Sequence, residues 1–130
     1  MLIDDNPDDN FYHERVIKKH FGAGQVSVVV EQSAIDALKY LKLEDLKVGC
    51  HPDLVFLDIN MPAMNGWEFL EEYNKLDGQF QCTAVVIMLT TSDNPDDIRK
   101  AKCLKGVSDL KSKPLTKEML EDIIEEHFIQ

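Results

Sequence analysis

The stretch Leu54-Val55-Phe56-Leu57-Asp58-Ile59-Asn60-Met61-Pro62 is apolar for four residues, then ends in one carboxylate, with a proline four residues further on. Such a run predicts a buried parallel strand that delivers Asp58 to the carboxyl edge of a sheet. Open α/β sheets bind their ligands at that edge. Leu2-Ile3 ends in the same way in Asp4-Asp5, and Val85-Val-Ile-Met-Leu89 ends in Thr90. Lys113 stands before Pro114, after another short strand-like segment. If these strand ends converge, they build an acidic pocket with one hydroxyl and one ammonium. That set suits a divalent cation and phosphoryl chemistry. A carboxylate can attack phosphorus and carry the phosphoryl group covalently, and Asp58, alone at the end of a middle strand, is the candidate nucleophile.

Taken singly, these residues have plainer explanations. Thr90 is an ordinary strand-end threonine, Lys113 a lysine of the solvated kind, and Asp8, Asp9, Asp96 and Asp97 are helix-start acids. Asp4, Asp5 and Asp58 differ because each follows an apolar strand directly. Two like charges near 4 Å repel by about 4 kcal/mol at an effective dielectric of 20. Three together cost several such terms against a domain stability of roughly 5–15 kcal/mol. Core packing offers no compensation, whereas a bound Mg²⁺ does, since it is held by one or two carboxylates, waters and phosphate oxygens. An X-Pro bond adopts the cis form at small cost, which would help to aim Lys113.

The elements that position these residues alternate along the chain. Asn6 is placed to cap a helix, Pro7 fits its first turn, and Asp8-Asp9 suit the positive end of its dipole. Tyr12/Val16/His20 and His13/Ile17/Phe21 are its expected apolar rows, and Gly22-Ala-Gly24 its stop. Val26-Ser-Val-Val-Val30 is β-branched and reads as a strand. Ser33 can cap a second helix with Ala34, Leu38 and Leu41 inside, and Gly49-Cys-His-Pro52 reads as a loop. After the central strand, Asn65-Gly66 turns into a third helix carrying Phe69, Leu70, Tyr73 and Leu76, ended by Asp77-Gly78. Asn94-Pro95-Asp96-Asp97 repeats the first helix-start signal and opens a weakly amphipathic helix with Ile98, Ala101 and Leu104 on its apolar side. A short strand follows near 108–111, and Thr116 can cap a last helix buried through Met119, Leu120, Ile123 and Ile124. Five βα units with strands apolar throughout predict an α/β fold, a doubly wound parallel sheet with helices on both faces. Right-handed crossovers then gather the strand-to-helix loops on one edge.

Composition bounds the function. The 130 residues fit one domain, 1–130, and the 44% hydrophobic content is that of a globular protein. A net charge of −10 argues against direct nucleic-acid binding. No run is long enough to cross a membrane, and the first residues lack the basic-then-apolar pattern expected of a signal peptide. Cys50, Cys82 and Cys103 form neither a zinc spacing nor an evident disulfide framework, so a reducing cytoplasm is expected.

Leu2-Ile-Asp4-Asp5, Leu54 through Pro62, Asn65-Gly66, Ile87-Met-Leu-Thr90 and Lys113-Pro114-Leu-Thr116 occur in an order and spacing that closely resemble the receiver domain of bacterial two-component response regulators. The resemblance spans nearly the whole chain. It implies a five-stranded sheet of order 2-1-3-4-5, with Asp58 as phosphoacceptor. It further implies Mg²⁺ ligated by Asp5, Asp58 and the backbone carbonyl of Asn60, with Asp4 acting through water. Thr90 and Lys113 would contact the phosphoryl group. A histidine kinase or phosphotransfer protein would be the donor partner, and an unidentified protein the target of a switched surface around the fourth helix and last strand. The chain would be a phosphoacceptor switch with Mg²⁺-dependent self-phosphorylation and self-dephosphorylation, not a turnover enzyme.

There are three departures from the family pattern. Met1 stands only three residues before Asp4, so either residues precede it in the natural protein or the first strand is stunted. Leu110 occupies the place, three before the lysine, where the family often has an aromatic switch residue. Thr91 stands where Ala or Gly is common, and its bulk is expected to restrict water access and lengthen the phosphoryl lifetime. The chain reads either as a single-domain regulator or as a receiver from a longer regulator or hybrid kinase. Two other classes compete. A phosphatase of the haloacid dehalogenase type also uses a strand-end aspartate and Mg²⁺, but its second aspartate is Asn60 here, and multiple turnover on a phosphate monoester would favour it. A flavodoxin-like cofactor-binding module lacks a phosphate cradle after the first strand, and a yellow purified protein would favour it.

Overall fold

The computed structural model describes residues 1–22, 24–44, 52–75, 85–91, 95–103 and 106–128, with the side chains of 43 and 44 excepted. Strands and helices alternate: β1 (Leu2–Ile3), α1 (Pro7–Phe21), β2 (Val30–Glu31), α2 (Ala34–Glu44), β3 (Leu54–Asp58), α3 (Gly66–Asn74), β4 (Val85–Thr90), α4 (Pro95–Cys103), β5 (Asp109–Ser112) and α5 (Lys117–His127). The five strands form one parallel sheet in the order β2-β1-β3-β4-β5. This is the doubly wound arrangement expected of apolar strands that alternate with helices.

The period of two along each strand divides the core between the two faces. Ile3, Val55, Leu57, Val86 and Met88 pack with Ala37, Leu38 and Leu41 of α2 and with Phe69, Leu70 and Tyr73 of α3. Leu2, Phe56, Ile87 and Leu89 face the other way, onto Ile17 of α1 and Leu120 and Ile123 of α5. This parity decides where the site residues go. Asp4 and Asp58 continue the Leu2 and Phe56 rows towards α1, whereas Thr90 continues the Met88 row towards α4.

The caps form as their residue types suggest. The Asn6 side chain accepts from the backbone N–H of Asp8 and Asp9, and Pro7 lies at the helix start. The Ser33 hydroxyl accepts from Asp36 N at 3.0 Å, and the Thr116 hydroxyl accepts from Met119 N at 3.1 Å. Asn65 and Glu68 close a reciprocal capping box. Gly22 ends α1 at φ 90°.

Four expectations need correction. The second strand is Val30–Glu31, not residues 26–30. Two-residue β1 offers ladder positions only opposite Val30 and Glu31, so Val26 and Val28 serve as half-buried cover on the α1/α5 core. The inner face of α1 is Asn10, His13 and Ile17, while Tyr12 is 49% exposed and Phe21 37%. Of the expected rows, His13 and Ile17 do face inward, but Asn10 joins them and the other row does not. In α4, Ala101 is buried and Ile98 is exposed, so the apolar side is narrower than the pattern suggested. The last strand runs one residue later than the expected 108–111. The expected stop at Asp77-Gly78, the loop at 49–51, and Leu76, Asn94, Leu104, Cys50 and Cys82 lie outside the described residues. Cys103 is a free, exposed thiol.

Candidate functional site

Asp4 leaves β1 buried at 4% exposure, and Asp58 ends β3 at 7%. Asp5, between β1 and α1, is exposed. One carboxylate oxygen from each of Asp4, Asp5 and Asp58 lies within 4.8 Å of the others. The three anions predicted from separate strand ends therefore share one rim. Their hard oxygen donors fit an Mg²⁺ ion, which accepts one or two carboxylates and completes its shell with water and phosphate oxygens. Asn60, two residues beyond the end of β3, is exposed.

Lys113 enters from the end of β5. Its ammonium lies 2.7 Å from Asp4 Oδ2, 3.0 Å from Asp9 Oδ2 and 3.5 Å from Asp58 Oδ1, with its side chain only 10% exposed. The Lys113–Pro114 bond is cis, and Lys113 N donates to the Thr90 carbonyl at 2.9 Å. Burial alone would lower the lysine's pKa. Hydrogen bonds to Asp4 and Asp9 and the Asp58 charge outweigh it, and the net shift is upward. The ammonium is therefore firmly charged. Burial, then the Asp4 charge, pushes Asp58 up to about 6 in spite of Lys113.

Gly66 sets the position of Asp58. A Cβ there would stand 2.6 Å from the Asp58 carbonyl oxygen and 3.1 Å from Ile59 Cα. Gly66 N also donates to the Ile59 carbonyl at 2.8 Å. The N-terminus of α3 thus presses directly on the end of β3, which is possible only without a side chain.

Thr90 is buried at 2% and lies beside Ser112 in the β4–β5 register. It lines a groove of about 510 Å³ between α4 and β5, together with Ile98, Ala101, Val107 and Leu110. Leu110 is half-buried opposite Met88. Thr91 is exposed.

Three further residues belong to this site by contact. Asp9, read from the sequence as a helix-start acid, also holds Lys113. Asn10 is 3% exposed and donates from Nδ2 to the Asp4 carbonyl at 2.8 Å, while its buried Oδ1 has no hydrogen-bond partner among the described residues. His13 is 2% exposed beneath the same carboxylates, and burial lowers its pKa. A polar pair at positions 10 and 13, one helical turn apart in an otherwise amphipathic helix, was the available signal.

Comparison with known proteins decides the family. Residues 1–125 match the model of the response regulator receiver domain. The chain belongs to the receiver domain family of two-component response regulators. The receiver fold recurs in a two-component response regulator from Cytophaga hutchinsonii, with a TM-score of 0.87 at 28% identity, covering 99% of this chain and 95% of that one. The response regulator ARR6 of Arabidopsis thaliana is 33% identical over 125 residues, covering 88% of this chain and 61% of ARR6. The probable methanogenesis regulatory protein FilR2 of Methanothrix harundinacea is 29% identical over 127 residues, covering 97% of this chain and 78% of FilR2. This receiver domain thus spans about three fifths of the length of ARR6. A receiver domain is a phosphoacceptor switch of two-component signalling, not a substrate-turnover enzyme. Receiver domains bind Mg²⁺ at an acidic pocket and interact with histidine kinases or phosphotransfer proteins. No helix among the described residues is long and apolar enough to cross a membrane.

Proposed function

We propose that this receiver takes a phosphoryl group from a histidine kinase or phosphotransfer protein onto Asp58, in the cytoplasm, and thereby switches a protein-binding surface. The observation that carries the reading is the meeting of the Asp4, Asp5 and Asp58 oxygens within 4.8 Å beside the Lys113 ammonium. Asp5, Asp58 and the Asn60 main-chain carbonyl would hold Mg²⁺ directly, and Asp4 through water. When bound, Mg²⁺ screens the anions from the incoming phosphate and polarises its oxygens.

Asp58 supplies the attacking oxygen. It attacks as the ionised carboxylate, beside the Lys113 ammonium at 3.5 Å. An O–P bond forms to Asp58 as the bond from phosphorus to the donor's imidazole nitrogen breaks, and that electron pair returns to the imidazole. Lys113 meets the charge of about −1.5 to −2 that the phosphoryl group adds. The Thr90 hydroxyl donates to a phosphoryl oxygen, leaving the α4 side of the sheet. The groove it lines with Leu110 and Ala101 then repacks, and the partner-binding face changes. Leu110 takes part as an aliphatic lining residue, not as an aromatic rotamer switch. Thr91, exposed next to the phosphoryl position, restricts the approach of hydrolytic water.

Incubation with Mg²⁺ and an acyl phosphate, followed by intact mass and peptide mapping, tests the assignment. One phosphoryl group is expected on the peptide containing Asp58, and none on Asp58→Asn. Equal labelling of the variant would refute Asp58 as acceptor.

A further inference from the structure

We propose that Asp9 is a positioning residue for phosphoryl transfer, whose carboxylate holds the Lys113 ammonium in line with Asp58. This rests on Asp58 being the acceptor. Lys113 has three N–H donors, and three carboxylates surround it, at 2.7 Å (Asp4), 3.0 Å (Asp9) and 3.5 Å (Asp58). A cation bound beside Asp4 draws on the same carboxylate that now holds the lysine most closely. Asp9 then remains as the lysine's firm anchor, and the ammonium stays close to the Asp58 oxygen. Charge-assisted bonds of this length fix a flexible four-carbon side chain far better than solvent does.

The anchor comes from a part of the chain distant in sequence. The contact joins residues 104 positions apart. Asp9 reaches Lys113 because the Asn6 cap receives the Asp9 backbone N–H at 3.4 Å, which sets the first turn of α1 against the end of β1. Asp8 occupies the same turn and has the same charge near the helix N-terminus, but it is exposed. It is therefore the matched control for dipole and net-charge effects.

The two roles open to Asp9 predict opposite signs. If Asp9 were only another negative charge near the acceptor, neutralising it would speed the uptake of an anionic donor, and neutralising Asp8 would act alike. If Asp9 positions Lys113, Asp9→Asn slows uptake from an acyl phosphate by about tenfold, while Asp8→Asn leaves the rate within about twofold. In a Lys113→Met background, adding Asp9→Asn changes the rate no further. In the metal-free protein, Asp9→Asn shifts the side-chain ammonium resonance of Lys113 and Asp8→Asn does not. Should Asp9→Asn fail to fold by thermal unfolding, Asp9→Ser serves in the same comparisons. Uptake by Asp9→Asn at or above the parent rate, or full additivity with Lys113→Met, overturns the assignment while leaving Asp58 as acceptor. A parent that takes up no phosphoryl group overturns both.

Discussion

Replacing Asp58 by asparagine is expected to stabilise the metal-free protein at neutral pH. Burial, with the Asp4 charge second, lifts the Asp58 carboxyl from 3.8 to about 6, against the opposing effect of Lys113. The folded state therefore holds this proton more tightly than the unfolded chain does. Stability from this group is greatest below the unfolded value, falls as pH rises through the window between 3.8 and about 6, and stays reduced above it. A rise of about two pH units corresponds to about 3 kcal/mol. That is a ceiling, because solvent screens the rim of the site and asparagine weakens the contact with Lys113, which leaves about 1–2 kcal/mol. For a domain of this size the gain appears as about 4–8 °C in Tm. The assay is thermal or urea unfolding of parent and Asp58→Asn in chelator across the acid-to-neutral range. The gap between the two should open as pH rises through the window and close towards its lower end. A variant no more stable than the parent at neutral pH, or a gap that ignores pH, would show that Asp58 carries no such electrostatic penalty.

Three other outcomes follow from the same geometry. Millimolar Mg²⁺ should raise the stability of the parent by about 1–3 kcal/mol, because the folded carboxylate cluster binds it and the unfolded chain hardly does; Asp5→Asn should lose most of that increment in the same titration, and an equal increment would remove Asp5 from the ligand set. Gly66→Ala should cost about 1–3 kcal/mol, since its Cβ meets the Asp58 carbonyl at 2.6 Å, and it should also slow phosphoryl uptake by displacing Asp58; denaturant midpoints and labelling rates measured together check both effects. Thr91→Ala should shorten the phosphoryl lifetime by opening the exposed face of the site to water, and a decay no faster than the parent's would refute the shielding role.

The architecture was legible because its signals are local and redundant. Four strand-like runs ended in chemistry-bearing residues, and caps at Asn6, Ser33, Asn65 and Thr116 marked the turns between elements. The gathering of Asp4, Asp5 and Asp58 was equally legible, since parallel strands with right-handed crossovers leave their carboxyl ends on one edge. The length of β2 was not, because a strand's length depends on its partner, and two-residue β1 stops the ladder after Glu31. The inward place of Asn10 was missed for a different reason. Asn10 is polar, so an apolar count leaves it off the row of His13 and Ile17. Yet Asn10 satisfies the Asp4 carbonyl, and His13 fills the space beneath the carboxylates. Asp9 was hidden by its own capping position, since one residue can be a good helix-start acid and also contact a lysine from the far end of the chain.

Taken together, these contacts explain how a fold tolerates its own anionic rim before any cation arrives. Lys113 is the resident counter-ion: its ammonium touches Asp4 and Asp9 and stands close to Asp58, and it is barely exposed. One positive charge against four carboxylates leaves the site short of neutrality, and the Asp4 charge adds to the burial that pushes Asp58 up. A divalent cation would lessen the deficit, and at this rim it would compete for Asp4, which accepts the shortest of the lysine's contacts. If Asp4 orders the water shell of a bound Mg²⁺, metal entry would loosen the Lys113–Asp4 pair, since both would draw on the same carboxylate. An ammonium freed from Asp4 beside an activated Asp58 is placed to meet the next anion to enter, the phosphoryl group itself.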